Sequence, residues 1–126
     1  NIFLSQLKNT ERGFYFYYKG NVPCFPKIRI HIHGKIKKVE QPLLQNKDTQ
    51  IKFNKEVVSL DEWAVFYIQN GLIHPKRETK ISTYVLDSHS VLNPFRLFPG
   101  ENKIFFNPDC FEGDYRVFMR GQNIYF

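Results

Sequence analysis

The chain has 126 residues, enough for one domain with a real core and too few for two. Its aromatic share is 17%, led by 13 Phe and 7 Tyr, which favours β structure over a helix bundle. The net charge of +6 is that of a basic surface, and no apolar run approaches the length of a membrane span.

Residues 1–13 are mixed, and Ile2, Phe3, Leu4 and Leu7 predict a short helix or an extended linker ahead of the domain. The start at Asn1 is expected of a processed or excised piece, with residues 14–126 forming a single β-sandwich domain at the C-terminal end of a longer chain. Phe14-Tyr15-Phe16-Tyr17-Tyr18 is a strong strand run. An unbroken aromatic run is expected to be buried on both faces, or on one face with the other against a partner. Gly20-Asn21 ends it, and Asn21 to Pro26 reads as an extended crossing because residues before proline avoid the helical region.

Lys27 to His33 alternates. Ile28, Ile30 and Ile32 point one way, and Lys27, Arg29, His31 and His33 point the other, with Gly34 closing the strand. Ile36 to Glu40 predicts a short continuation ended at Pro42. Polar residues 45–48 lead to a second alternating strand from Gln50 to Phe53. Trp63 to Ile68 is the most apolar strand, and Asn70-Gly71 after it is a hairpin signal. Residues 72–80 read as a polar loop in which Leu72-Ile73 can extend a strand, and 81–86 as a further strand.

Near the end, Pro99-Gly100 suits the central positions of a type II turn. Proline pre-sets φ at the first and glycine takes the positive φ of the second. Asn102 can finish the bend by bonding neighbouring amides, with Leu97 and Ile104 on the strands that flank it. Tyr115 to Arg120 alternates again, and Ile124-Tyr125-Phe126 reads as a terminal edge strand. Many short strands with frequent turn signals define an antiparallel sandwich or barrel, with Ile28, Ile30, Ile32, Trp63, Val65, Leu97, Ile104 and Val117 as its core.

Chemistry is thin in this sequence. It contains no nucleophile elbow, phosphate loop or dinucleotide fingerprint. Asp61-Glu62 are adjacent carboxylates that on a strand would point apart, and they are expected in a loop. His31 and His33 share a face at metal-ligand spacing, but the cations in the same row oppose a bound metal, and no metal or cofactor is expected. Cys24 and Cys110 form no CxxC pair, so neither a zinc site nor a disulfide framework follows, and a reduced compartment is expected. Lys27, Arg29, Lys35, Lys37 and Lys38 form a modest basic cluster, short of a nucleic-acid footprint. A sugar site needs an aromatic platform, for which Trp63, Tyr15 and Tyr17 are the candidates, although each also suits the core.

The segments Gly20-Asn21-Val22-Pro23-Cys24-Phe25-Pro26-Lys27-Ile28 with Gly34, and Leu97-Phe98-Pro99-Gly100-Glu101-Asn102-Lys103-Ile104, resemble in order the C-terminal half of siphophage distal tail proteins. The matches run from Gly20 to Phe106. Leu60-Asp61 is a partial match to the family's middle element, and residues 74–93 match nothing in it. The resemblance implies a galectin-like, jelly-roll-type sandwich without catalytic residues. In it Gly20, Pro23, Pro26, Gly34, Pro99, Gly100 and Asn102 set turns and crossings. It also implies a structural role in the virion tail tip, assembled in the host cytoplasm, through contacts with other tail or baseplate proteins and a receptor-binding protein. The isolated domain is then expected to be a monomer, with a hexamer formed only through an upstream ring domain. The alternative is a carbohydrate-binding module that recognises a glycan of the host surface.

Overall fold

A computed structural model describes residues 2–7, 12–37, 39–53, 57–59, 64–69, 72–75 and 88–126. The protein is an all-β sandwich of two antiparallel sheets. Among the described residues the strands are β1 (Ile2–Leu7), β2 (Gly13–Tyr18), β3 (Lys27–Lys37), β4 (Leu44–Asn46), β5 (Thr49–Ile51), β6 (Val57–Ser59), β7 (Ala64–Gln69), β8 (Leu72–Pro75), β9 (Gly100–Phe106) and β10 (Phe111–Gln122). A short helix, α1 (Ser88–Leu92), precedes β9. Six strands form one sheet in the order β1-β10-β3-β7-β8, with β6 pairing the far end of β3. The other sheet runs β2-β9-β4-β5.

The period of two in β3 decides which way the larger sheet faces. Ile28, Ile30, Ile32 and Ile36 are fully buried and meet Val117 and Met119 of β10. Ile104 and Phe106 of β9, Leu44 of β4 and Ile51 of β5 close the core from the other sheet, in one continuous apolar cluster. Leu97 and Val117 are buried as their sequence positions predict. Val65 lies on β7, and Trp63 falls outside the described residues, as does the strand expected at 81–86.

Four segments differ from the sequence expectation. Ile2–Leu7 is neither helix nor linker: it pairs antiparallel with β10 and buries Leu7 opposite Val117. Long β10 offers a free edge, and its ladder hydrogen bonds make the segment part of the sandwich. Gly34 does not end β3. The strand runs on to Lys37, and Gly34 faces Gly113 of β10. A Cβ on Gly34 would lie 2.1 Å from the Glu112 carbonyl oxygen, so this glycine permits close approach of two backbones. Leu97 lies outside any strand and joins Cys24 in an isolated bridge. Ile124-Tyr125-Phe126 adds no strand either. It is tied to the crossing by the Asn21 N–H to the Ile124 carbonyl (2.9 Å), and by the Phe126 N–H to Asn21 Oδ1 (2.7 Å).

β7 and β8 pair antiparallel from Gln69 with Leu72 onward, while Asn70-Gly71, where the hairpin signal falls, lie outside the described residues. Polar residues 45–48, read as a lead-in to the next strand, take part in a hairpin, with β4 and β5 joined at Lys47-Asp48 and Lys47 at φ 56°.

Candidate functional site

The two motif segments meet in space. Cys24 and Leu97 exchange both backbone hydrogen bonds, at 3.1 and 2.9 Å, so the Pro23–Pro26 crossing lies against the approach to the Pro99-Gly100 turn. Gly100 has φ 92°, the positive angle expected of it. Asn102 does more than finish the bend. Its Oδ1 accepts from the Phe98 N–H (2.9 Å), and its Nδ2 donates to the Phe98 and Gly100 carbonyls (2.9 and 3.0 Å). The same side chain reaches inward, where Asn46 Nδ2 donates to its Oδ1 at 2.9 Å. Asn46 also donates to the Arg96 carbonyl, and Thr49 Oγ1 donates to the Asn46 carbonyl. Asn46, Thr49 and Asn102 are each 1% exposed, so the turn rests on a buried polar cluster with its partners in place.

Gly20 serves contact rather than a turn. A Cβ there would lie 2.2 Å from Tyr18 Oη. That hydroxyl donates to the Val22 carbonyl (2.6 Å) and accepts from the Ile124 N–H (3.0 Å), so one buried tyrosine pins the crossing and the C-terminal segment together. Burial is the main cause raising the Tyr18 phenol above its ordinary value. Burial likewise raises the Cys24 thiol, and it pushes Cys110 up to about 12, helped by the Asp109 carboxylate. Both cysteines are free, buried thiols held in their unreactive form. Among the described residues no group of three or more His, Cys, Asp or Glu side chains could hold a metal ion.

The aromatic strand β2 is buried on one face only. Tyr18 is enclosed, and Phe14 and Phe16 pack against the core. Tyr15 and Tyr17, which also suited the core, are each 65% exposed on the outer face of the four-stranded sheet. The strand period sets that outcome, since all five residues are apolar enough for either side. β9 adds Lys103 opposite Tyr15 and places Phe105, 49% exposed, diagonally across from it. The Lys103 ammonium lies 5.9 Å from the Tyr15 ring centroid and 5.3 Å from that of Phe105. Tyr17, Tyr15 and Phe105 thus form a solvent-facing aromatic strip with one cation over it. At the Phe105 end the strip runs into a cavity of about 250 Å³ lined by Arg12, Gln41, Pro42 and Gln45. The sequence pointed to Tyr15 and Tyr17. It did not point to Phe105, Lys103 or Gln45, whose nearness depends on strand pairing.

The chain matches no protein-family model, no curated protein and no solved structure.

Proposed function

We propose that this domain is a structural module at the periphery of a bacteriophage tail tip, similar to the outer domain of a siphophage distal tail protein. It acts there by protein–protein contact. The family reading is supported by the ordered pair of motifs, Gly20-Asn21-Val22-Pro23-Cys24-Phe25-Pro26 and Pro99-Gly100-Glu101-Asn102. The observation that carries the contact role is the exposed strip of Tyr15, Tyr17 and Phe105. Exposed aromatics grouped on one face are the side chains that anchor interfaces, because they bury large apolar area at small entropic cost.

Gold-labelled antibody raised against the domain should decorate intact phage particles at the end of the tail remote from the capsid. Label confined to lysate, with none on particles, would overturn the tail reading. Light scattering of the isolated domain should report a monomer near 15.1 kDa.

A second reading, a carbohydrate-binding module for the host surface, is favoured by the same strip. Sugar rings stack on exposed aromatics, and Lys103 and Gln45 stand beside them as hydrogen-bond partners. Saturable glycan-array binding that is lost in Tyr15→Ala would select this reading over protein contact.

A further inference from the structure

The outward rows of β3 and β10 place cations beside cations. Lys27 lies directly opposite Arg120, the like-charge pair, and Arg116 faces the imidazole of His31. Arg29 stands between them, with Phe118 as its partner on β10 and Tyr67 as its partner on β7. Like charges directly opposite each other on neighbouring strands are destabilising. The Arg12–Asp109 ion pair lies outside this face, and among the described residues no carboxylate is paired with Lys27, Arg29, Arg116 or Arg120.

A cavity of about 90 Å³ opens among Lys27, Arg29, Tyr67, Phe118 and Arg120, with three cations and no acid among its described lining residues. The Arg29 guanidinium lies 4.6 Å from the Phe118 ring centroid, and His31 meets the same ring edge-on. Stacking, rather than an acid, therefore holds the Arg29 fork. Its Nε is buried and has no hydrogen-bond partner among the described residues. A buried donor left unpaired is costly, so this arginine is not placed there for stability. Lys27 and Arg120 also border a second cavity of about 410 Å³, lined in part by Phe25, which is 44% exposed. The Lys27–Arg120 pair is thus a ridge between a cationic cavity and an aromatic-walled one.

We propose that this face binds a sugar phosphate. The phosphate enters the smaller cavity between Arg29, Lys27 and Arg120, and the attached ring lies over the ridge against Phe25. Arginine forks match phosphate oxygens in pairs, and lysine adds a point charge. Three converging cations suit the three terminal oxygens of a phosphate monoester better than the two of a carboxylate. The aromatic wall supplies ring contact of the kind that aromatic side chains give to nucleotides. This site is on the opposite sheet from the Tyr15–Tyr17 strip and is independent of the tail reading.

Calorimetric titration at low salt with ribose 5-phosphate, inorganic phosphate and ribose tests it. Ribose 5-phosphate should bind more tightly than inorganic phosphate, and ribose should not bind. Arg120→Gln and Lys27→Gln should each weaken ribose 5-phosphate by roughly tenfold, the loss of one charge-assisted contact. Both variants should melt no lower than the parent in phosphate-free buffer, since each removes a like-charge pair. Phe25→Ala should reduce ribose 5-phosphate to the affinity of inorganic phosphate and leave the latter unchanged. No saturable binding of ribose 5-phosphate would overturn the proposal. So would an equal loss in Lys103→Gln on the other sheet, which would mean diffuse charge. A response to a single-stranded oligonucleotide alone would overturn it in favour of a surface that tracks a polymer backbone.

Discussion

Replacing Asn102 by alanine should cost this domain more than any other single polar substitution in its turn. The side chain is 1% exposed, and its Oδ1 accepts from two donors, the Phe98 N–H and Asn46 Nδ2, both at 2.9 Å. Alanine strands both. A buried donor without a partner costs about 1–3 kcal/mol, and Phe98 is half-buried, so about 3 kcal/mol for the pair is a fair expectation. The Phe98, Gly100 and Phe16 carbonyls lose a donor as well, but carbonyls tolerate this better. At roughly 4 °C per kcal/mol for a domain of this size, Tm should fall by ~12 °C. Asn102→Asp keeps the shape and should do no better at neutral pH, because a carboxylate would face three carbonyl oxygens. Thermal melts followed by circular dichroism measure both. Asn46→Ala belongs to the same cluster, so the double variant should lose less than the sum of the singles by at least ~0.5 kcal/mol. Strict additivity, or a Tm for Asn102→Ala within about 2 °C of the parent, would refute the reasoning.

Gly100→Val should lower stability by about 1–3 kcal/mol through backbone strain alone, since φ is 92° and nothing lies within 4 Å of an added Cβ. A Tm equal to the parent's would show that the turn rearranges freely. Gly34→Ala should be the more damaging glycine substitution, because its Cβ would meet backbone at 2.1 Å; loss of amide-exchange protection along β3 and β10 reports it. Cys110 supplies a pH dependence. Its folded thiol stays protonated up to about 12 against an ordinary 9.0, so above 9 the unfolded chain holds fewer protons. Stability should therefore be unaffected by this group below pH 9 and fall between 9 and 12. A Cys110→Ala variant whose alkaline decline matches the parent's would remove Cys110 as the cause.

Strand facing was legible wherever polarity alternates. β3 is the clear case: isoleucine at every second position leaves no doubt about its inner face. β2 carries the same period, but with aromatics at all five positions composition could not say which of them meet water. Burial of Tyr18 against Val22 and Ile124 decides it, and both contacts come from outside the strand. Gly34 illustrates a different limit. A glycine after an alternating run is a stop signal by local rules, and only the register with Gly113 turns it into a crossing point. Ile124-Tyr125-Phe126 has strand composition, yet the Tyr18 hydroxyl and the Asn21 side chain capture its backbone groups before a neighbouring strand can. Asn102 was legible as a turn residue. Its second role, as the partner of Asn46, depended on a hairpin from a distant part of the chain.

The charge ladder between β3 and β10 is legible only in register, and it changes character along its length. At one end Glu112 faces Lys35, the complementary arrangement that stabilises neighbouring strands. At the far end Arg120 faces Lys27. The same pair of strands therefore accommodates opposite charges where they bring stability and forgoes them at the other end. A glutamate in place of Arg120 would continue the complementary pattern without touching the core, because that side chain is exposed. The departure coincides with the cavity around Arg29, whose buried Nε lacks a partner among the described residues. Stability forgone at a cavity lined by cations is what an anion-binding role requires. A uniformly basic surface serving only solubility would have no reason to gather its uncompensated charges around that cavity.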